Sequence, residues 1–202
     1  MNVYPLSVIP VSYFASVGVY AVILQSENVL FEKQENFVKQ TFRSRCEIYG
    51  ANGKQLLSVP VEKRGNHIPI TEVRVSYKED WQKIHWRSIV SAYRNSPYFE
   101  YYADDFQPFF DTKIELLFDL NMSLHKIIMK LLKAEINHEF TQTYISDFGE
   151  NVLDLRKKEI ILPGIPIYNQ VFEERHGFIS NLSILDLLFN SGPDALDILT
   201  TK

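Results

Sequence analysis

The order of the first three predicted elements, a strand, a helix and a second strand, constrains the fold more than any other feature of this sequence. Residues 3–9 are rich in β-forming side chains and end at Pro10, and residues 28–32 have the same character. Ser12 can cap a helix over residues 13–25, which is apolar on nearly every side and is therefore expected to be buried. A connection of this length predicts two parallel strands joined by a right-handed crossover. Because open parallel sheets bind ligands outside the carboxyl ends of their strands, we expect a site in the loop after the first strand.

The most basic stretch of the chain, residues 39–48, is predicted to be an extended strand. Its alternation directs Lys39, Arg43 and Arg45 to one face and the single cysteine, Cys46, to the other. Like charges gathered on one strand face repel each other unless an anion lies among them, so the pattern favours an anion-binding surface. The alternative is a solvated strand face whose cations pair with nearby carboxylates, for which the candidates are Glu32, Glu35 and Glu47.

The rest of the chain supplies a hairpin and several helices. Asn52-Gly53 favours a tight reversal, which predicts that residues 55–61 return as an antiparallel strand beside the basic stretch. The best amphipathic helix covers residues 80–95, and a second long one covers residues 113–133. The remaining patterns predict further strands at 70–77, 141–145 and 160–162, an aromatic connection without regular structure at 98–102 and a turn at 163–166. A helix is predicted to begin at Ser183, where Asp186 reaches back to complete the cap. A last turn of helix is predicted at 193–199.

These elements predict the fold class. We expect an α/β fold with a mixed, partly parallel sheet, an N-terminal βαβ-like unit, an added antiparallel hairpin and flanking helices. No linker, repeat or low-complexity tract interrupts the chain, so residues 1–202 are expected to form a single domain.

Two polar residues lie on apolar helix faces. His85 projects between Trp81 and Ile89, so it is either a hydrogen-bonded core residue or a site residue whose pKa the surroundings tune. Asn121 lies on the apolar stripe of the second long helix, where a buried amide needs partners. It either holds a neighbouring loop or contacts a ligand.

Composition excludes several classes of protein. A formal charge of −4 argues against a general nucleic-acid binder. A single cysteine excludes an internal disulfide, and together with the lack of a basic, then apolar leader it favours a cytoplasmic location. The apolar run at residues 17–24 is too short to span a membrane. No spacing typical of zinc, calcium or phosphate-loop sites is present, so we expect no metal, and the sequence assigns neither a cofactor nor an oligomeric state.

Several segments together resemble the bacterial WbqC-like family. The segments are Tyr13-Phe14, residues 39–48, Asn52-Gly53 with residues 57–61, Trp81 with residues 85–89, Tyr93 with Pro97-Tyr98-Phe99, Asp154-Leu155-Arg156, Tyr168 with Gln170, and Gly177-Phe178 with residues 182–189. The resemblance implies a bacterial protein, and some members of the family belong to gene clusters for surface-polysaccharide or amino-sugar modification. It carries over the basic stretch, His85 and Asp154 as candidate site positions. Residues 8–14 lack the Gln of the usual family opening, which implies a different ligand if that opening binds substrate in relatives.

We consider two functions. In the first, the protein is a cytoplasmic enzyme of the small-group transferase type that acts on an anionic, phosphorylated or nucleotide-linked metabolite in surface-glycan or amino-sugar metabolism. The three basic side chains Lys39, Arg43 and Arg45 hold the anion, because Arg forks match phosphate and carboxylate oxygens. Tyr13 and Asn121 add substrate contacts.

The catalytic group of this hypothesis is His85, acting as general acid or base, with Asp154 or Asp186 to orient it. In the second function, the protein is a noncatalytic binding or scaffold protein that presents the aromatic connection at residues 98–102 as an interaction surface. A concave cationic cleft would favour the enzyme, and a flat aromatic patch would favour the scaffold.

Overall fold

The structure is a computed structural model that describes residues 4–62, 65, 67–156 and 167–201. Strands and helices alternate in the first part of the chain, and helices dominate the second. In chain order the elements are β1 (Tyr4–Pro10), α1 (Val17–Gln25), β2 (Ser26–Glu32), β3 (Arg45–Gly50), β4 (Gly53–Ser58), a 3₁₀ turn (Ile70–Glu72), α2 (Trp81–Tyr93), α3 (Phe99–Phe106), α4 (Pro108–Asp111), α5 (Leu117–Leu131), β5 (His138–Phe140), β6 (Leu153–Asp154), α6 (Glu173–His176), α7 (Ile184–Ser191), a second 3₁₀ turn (Gly192–Asp194) and α8 (Ala195–Thr200).

A parallel sheet with the strand order β5-β2-β1-β6 forms the centre of the fold. β1 and β2 pair in parallel, with Leu6 opposite Asn28 and Val8 opposite Leu30, which confirms the βαβ-like opening. β5 and β6 join in the same direction, so all four carboxyl ends meet at one edge of the sheet. β2 and then β5 lie on one side of β1, whereas β6 lies on its other side. The strand order therefore reverses at β1.

The antiparallel hairpin is a separate two-stranded sheet of β3 and β4. Arg45 lies opposite Ser58, and Gly50 lies opposite Gly53 at the reversal. Gly53 has a φ of +96°, a conformation that glycine adopts without steric cost. The predicted hairpin is therefore confirmed, and with it the α/β fold class.

Apolar side chains from both sheets and most helices form one core. Ile9 and Phe31 of the parallel sheet pack with Tyr20 of α1, and α7 is buried along most of its length. In α2 the buried positions follow the helical period, which turns Trp81, His85 and Ile89 towards the core as expected. Nowhere in the described ranges is there a helix with the length and apolar character needed to cross a membrane.

The prediction of a strand over residues 39–48 is wrong in its first half. Only Arg45–Gly50 forms β3, and before Arg45 the pairing continues only as a hydrogen bond from the N–H of Val59 to the carbonyl of Ser44, among the residues that the structure describes. Residues 39–44 form turns, in which Gln40 adopts a φ of +61° and the N–H of Ser44 donates to the carbonyl of Thr41. The alternation inferred for Lys39, Arg43 and Arg45 therefore does not exist, although Cys46 is buried as predicted.

Five other local predictions are also wrong. Ser12 does not cap α1, because the helix begins at Val17 and Ser16 is at its N-cap position. Residues 98–102 begin α3 instead of forming an irregular connection, and residues 70–77 form a 3₁₀ turn and single bridges instead of a strand. The edge strand is His138–Phe140, which ends just before the predicted 141–145. Ser183 caps α7 by accepting the N–H of Leu185, but Asp186 does not complete the cap, because its carboxylate turns inward to Tyr168 and Gln170. The predicted strand at 160–162 and the turn at 163–166 lie outside the described residues.

Candidate functional site

Charged and polar side chains collect at the carboxyl edge of the parallel sheet. Glu32 is the last residue of β2, Thr141 directly follows β5, and Asp154 and Arg156 lie at and just beyond the end of β6. This edge is where open parallel sheets bind ligands. We call Glu32, Glu35, Arg43, Asp154 and Arg156 the ion cluster.

Arg156 joins two strand ends within the ion cluster. Its Nη1 donates to Oε2 of Glu32 at 2.7 Å, and its Nε and Nη2 donate to the two oxygens of Asp154 at 2.9 and 2.6 Å. The hydrogen bonds that Arg156 donates to Asp154 and Glu32 outweigh burial and raise the pKa of Arg156, which stays charged. The rings of Tyr144 and Phe148 lie 5.2 and 4.8 Å from its guanidinium carbon, so two cation–π contacts cover the cation.

Arg43 and Glu35 form the second part of the ion cluster. Nε of Arg43 donates to Oε1 of Glu35 at 2.7 Å, and Nη2 of Arg43 donates to Oε2 of Glu35. Both side chains are nearly inaccessible, at 7% and 6% exposed. The pair closes the base of the loop between residues 35 and 43 and holds it against the sheet, since Nη2 also approaches the carbonyl of Arg156 at 3.5 Å.

Burial of the ion cluster costs free energy, because its charged groups lose their contacts with water. Glu32 is fully inaccessible, and its Oε1 also accepts the hydroxyl of Thr141 and the N–H of Gln34, each at 2.6 Å. Desolvation of buried ions offsets most of their mutual attraction, so a buried ion pair is weak evidence for a stabilising role. Three carboxylates and two guanidinium groups therefore place fixed, oriented charge at the carboxyl edge of the sheet.

The loop after β1 is tied to the ion cluster through α5. Nδ2 of Asn121 donates to the carbonyl of Arg43 at 2.8 Å and to that of Val11 at 3.4 Å. The N–H of Tyr13 donates to the carbonyl of Phe42 at 3.0 Å. The buried Phe14 has a φ of +41°, a strained conformation for a bulky residue, and strain of this kind collects at functional sites.

His85 lies behind this loop and is engaged at both ring nitrogens. The Tyr13 hydroxyl lies 2.9 Å from Nδ1, and burial raises the pKa of Tyr13, so the hydroxyl stays protonated and donates. The other nitrogen then carries the proton and donates to the backbone of Ser58. Burial lowers the pKa of His85 to about 4, so the imidazole is neutral at physiological pH.

Lys39 and Arg45 lie outside the ion cluster. Lys39 is exposed and lines a cavity of about 510 Å³, a volume within the usual range of ligand sites. The residues that line this cavity lie between Asn36 and Arg74 in the sequence. Its wall begins one residue after Glu35, so the ion cluster and the cavity share one loop. Arg45 is half-buried at the start of β3, and its side chain makes no hydrogen bond or ion pair with the residues that the structure describes. Within the described ranges, no three His, Cys, Asp or Glu side chains are grouped closely enough to hold a metal ion.

Comparison with known proteins decides the family. The profile of the WbqC-like protein family matches residues 11–161, about three quarters of the chain. The chain belongs to the WbqC-like protein family. The match contains the loop after β1, the basic segment, α2, α5 and every member of the ion cluster.

Over its whole length this WbqC-like chain is also similar to the uncharacterized protein Rv1507c of Mycobacterium tuberculosis. The two are 23% identical over 227 aligned residues, which cover 96% of each chain. No solved structure matches the chain. The comparisons therefore establish the family, and the chemistry has to be argued from the site.

The WbqC-like fold brings together four of the seven site residues predicted from sequence. Arg43 and Asp154 belong to the ion cluster, and Tyr13 and Asn121 attach the loop after β1 to it. His85 reaches this group only through Tyr13. The roles of all seven stay predictions.

Sequence reasoning missed Glu32, Glu35 and Arg156 as members of the site. Glu32 and Glu35 were considered only as partners of a solvated strand. Their position directly after a predicted parallel strand was the available signal, because that is where the carboxyl ends converge. Arg156 gave a weaker signal, as a cation two residues after a candidate carboxylate.

Proposed function

We propose that this WbqC-like protein is an enzyme of the small-group transferase type that binds an anionic, phosphorylated or nucleotide-linked metabolite of surface-glycan or amino-sugar metabolism. The ion cluster at the carboxyl edge of the parallel sheet carries this proposal. It fixes two guanidinium groups at the edge where such sheets hold ligands, at a desolvation cost that stability does not explain.

The cavity beside the ion cluster provides the space for the body of the metabolite. Phe37, Val38 and Ile68 give it apolar walls, and Lys39 and His67 add polar groups. The Glu35–Arg43 pair holds the loop that forms one wall, so this wall is already ordered before a ligand arrives. Lys39 is the exposed cation that we assign to the anionic group, with Arg45 as a second contact.

His85 enters the proposal in a positioning role. It is 4% exposed, and both ring nitrogens are engaged, so direct contact with a metabolite would require the core to open. It holds Tyr13 and thereby the loop after β1. Asp154, which lies at the edge of the sheet, is then the first candidate for the group that transfers a proton in the reaction.

The test is thermal stabilisation of the purified chain by nucleotide sugars, sugar phosphates, nucleotides and acyl donors. A ligand at a concentration of about 100 times its Kd is expected to raise the midpoint by roughly 5–10 °C in a chain of this size. Lys39→Ala should remove most of this shift. Lys54→Ala is the matched control, because Lys54 is also an exposed lysine but lies on the hairpin, paired with Glu47.

A metabolite that stabilises the wild type is then incubated with candidate group donors, and transfer is measured by mass spectrometry of the product. A shift that Lys39→Ala leaves unchanged would contradict the assigned site. A panel without any shift would instead favour the noncatalytic function, which one observation supports: Tyr101 of α3 is 75% exposed beside the ring pair of Tyr98 and Tyr102.

A further inference from the structure

A small, mostly apolar crevice with four polar lining residues lies at the carboxyl end of β1 and is not part of the ion cluster or the 510 Å³ cavity. The loop after β1 forms its rim with Pro10, Val11 and Ser12. α1 and α5 form its sides, from which Tyr20 and His125 face it. The crevice therefore lies between two helices and the sheet, at the edge where the strand order reverses.

One atom in this crevice lacks the partner that its burial demands. Asn121 is 1% exposed, and its Nδ2 is used by the carbonyls of Arg43 and Val11. Its Oδ1 makes no hydrogen bond. A buried amide oxygen without a donor is rare, because its desolvation is not compensated, and such an atom indicates a group that completes the site.

The neighbouring polar groups define what that group is. Ser12 donates its hydroxyl to the carbonyl of Pro10 at 3.1 Å, which leaves the lone pairs of its oxygen available. The hydroxyl of Tyr20 lies 3.2 Å from Nδ1 of His125, and burial lowers the pKa of His125 to about 4, so the imidazole is neutral. Among the residues that the structure describes, no Asp, Glu, Lys or Arg lines the crevice, so it is suited to a neutral group and not to an ion.

The volume limits the size of the group. The crevice encloses about 10 Å³, which is close to the smallest space that holds one water molecule. A buried water needs two to four polar partners, and Asn121, Ser12 and His125 supply that number.

We infer that this crevice is a binding site for one small neutral hydrogen-bond donor, either a water molecule or the hydroxyl group of a ligand, with Asn121 Oδ1 as the acceptor. The bound group lies between α5 and the loop after β1, because residues of both line the crevice. The inference does not depend on the proposed anionic metabolite, because no charged side chain takes part in it.

Crystal structures of the full chain at a resolution that shows ordered water test this inference. The expected result is one ordered molecule at about 2.7–3.2 Å from Asn121 Oδ1. A second crystal soaked in methanol separates the two sources. Density that stays that of a water identifies an internal solvent site, whereas density for a methanol carbon identifies a site open to a ligand hydroxyl. An Oδ1 without an ordered neighbour in both crystals would overturn the inference.

Variants of the crevice test it in solution. Ser12→Ala removes one partner and should shorten the residence time of the water, measured as a loss of the cross-relaxation signal between water and the Asn121 side-chain amide. Met122→Leu is the control, because it changes a lining side chain without changing any polar group, and it should leave the signal intact. An equal loss in both variants would contradict the assignment of Ser12. Asn121→Leu is not used alone, since it also removes the bond to Arg43.

Discussion

At the scale of single residues, the charged groups of this protein divide by burial into two classes. Arg43 and Arg156 are almost inaccessible and are paired with carboxylates, whereas Lys39 is exposed. A buried ion held by a carboxylate has little freedom to move, so it fixes backbone and charge, and an exposed lysine is able to meet a ligand. We therefore expect the buried cations to hold the backbone in place and the exposed Lys39 to be the one that meets a ligand.

The buried pair of Arg43 and Glu35 makes a prediction about stability. Arg43→Met alone should lower the free energy of unfolding by about 3–5 kcal/mol, because it leaves Glu35 as an unpaired buried charge. The double variant Arg43→Met with Glu35→Leu should regain most of this loss, since no charge stays buried. Urea unfolding measures all three proteins. Lys83→Met, which breaks an exposed pair with Asp80, is the control and should change stability by less than about 1 kcal/mol. Losses that simply add in the double variant would contradict the coupling.

His85 makes a prediction about pH. Its pKa is lowered to about 4 in the folded chain and is near 6.5 when unfolded, so the unfolded state binds a proton first as the pH falls. The stability that comes from neutral His85 is present above pH 6.5 and is lost as the pH falls towards 4, by up to about 3 kcal/mol. Denaturation at a series of pH values should show a shallower loss in His85→Gln than in wild type.

Asp186 acts in the opposite direction and has to be separated from His85. Burial raises the pKa of Asp186 to about 6, against the hydrogen bonds from Tyr168 and Gln170 that lower it. Its contribution is largest at low pH and is lost as the pH rises through 6. In an Asp186→Asn background, stability should still fall more steeply with falling pH when His85 is present than when it is replaced by Gln. If the two proteins instead lose stability equally, His85 is not the group that titrates.

At the scale of elements, the turns and caps decide where each helix and strand ends. Gly192 ends α7 at a φ of +52°, and a Cβ at this position would lie 2.4 Å from the ring of Tyr98. Helix α7 is buried along most of its length, so this junction is packed against the rest of the molecule. A side chain at position 192 would therefore disturb both the backbone and the packing of α3.

Gly192→Ala tests this junction. The variant should lower the free energy of unfolding by about 2–4 kcal/mol, the sum of backbone strain and overpacking. Gly53→Ala is the matched control, because Gly53 has a φ of +96° but nothing lies within 4 Å of its added Cβ. That variant should show the strain alone, about 1–2 kcal/mol. Equal effects in urea unfolding would contradict a role for Tyr98.

At the scale of the whole molecule, one core joins the parallel sheet, the hairpin and the helices. α2 packs on the hairpin through His85, and α5 connects the basic segment to the loop after β1 through Asn121. These links cross between distant parts of the chain, so no part of the described core is complete without the others. We therefore keep the prediction that residues 1–202 form a single domain.

If the chain forms a single domain, we expect it to unfold in one cooperative transition. The two tryptophans, Trp81 and Trp86, both lie on α2, so fluorescence reports that helix, whereas far-ultraviolet circular dichroism reports every helix and strand. The two signals should give the same midpoint in urea. Separate midpoints would indicate that the region around α2 and the hairpin unfolds independently.

Local patterns in the sequence were sufficient for the elements whose signals are local. The βαβ-like opening follows from the spacing of β-forming runs, the hairpin from Asn52-Gly53, and the inward face of α2 from its 3.6-residue period. Residues 98–102 were misassigned because their aromatic side chains suggested a connection, whereas packing against the core favours a helix there. Tertiary contacts override local propensity in such segments.

The sequence alone determined the fold class, the parallel pairing of the first two strands and the hairpin reversal, and it predicts a site at the carboxyl edge of the sheet. Only the tertiary structure decided which charges are at that edge. Arg156 meets Glu32 because β6 and β2 end at the same edge on either side of β1, and Arg43 meets Glu35 because the turns between β2 and β3 bring the two side chains together. The burial that turns these groups into fixed charges, and His85 into a neutral imidazole, is a property of the packed core. The sequence pattern does not show this burial, because burial depends on which elements pack against each other and exclude water.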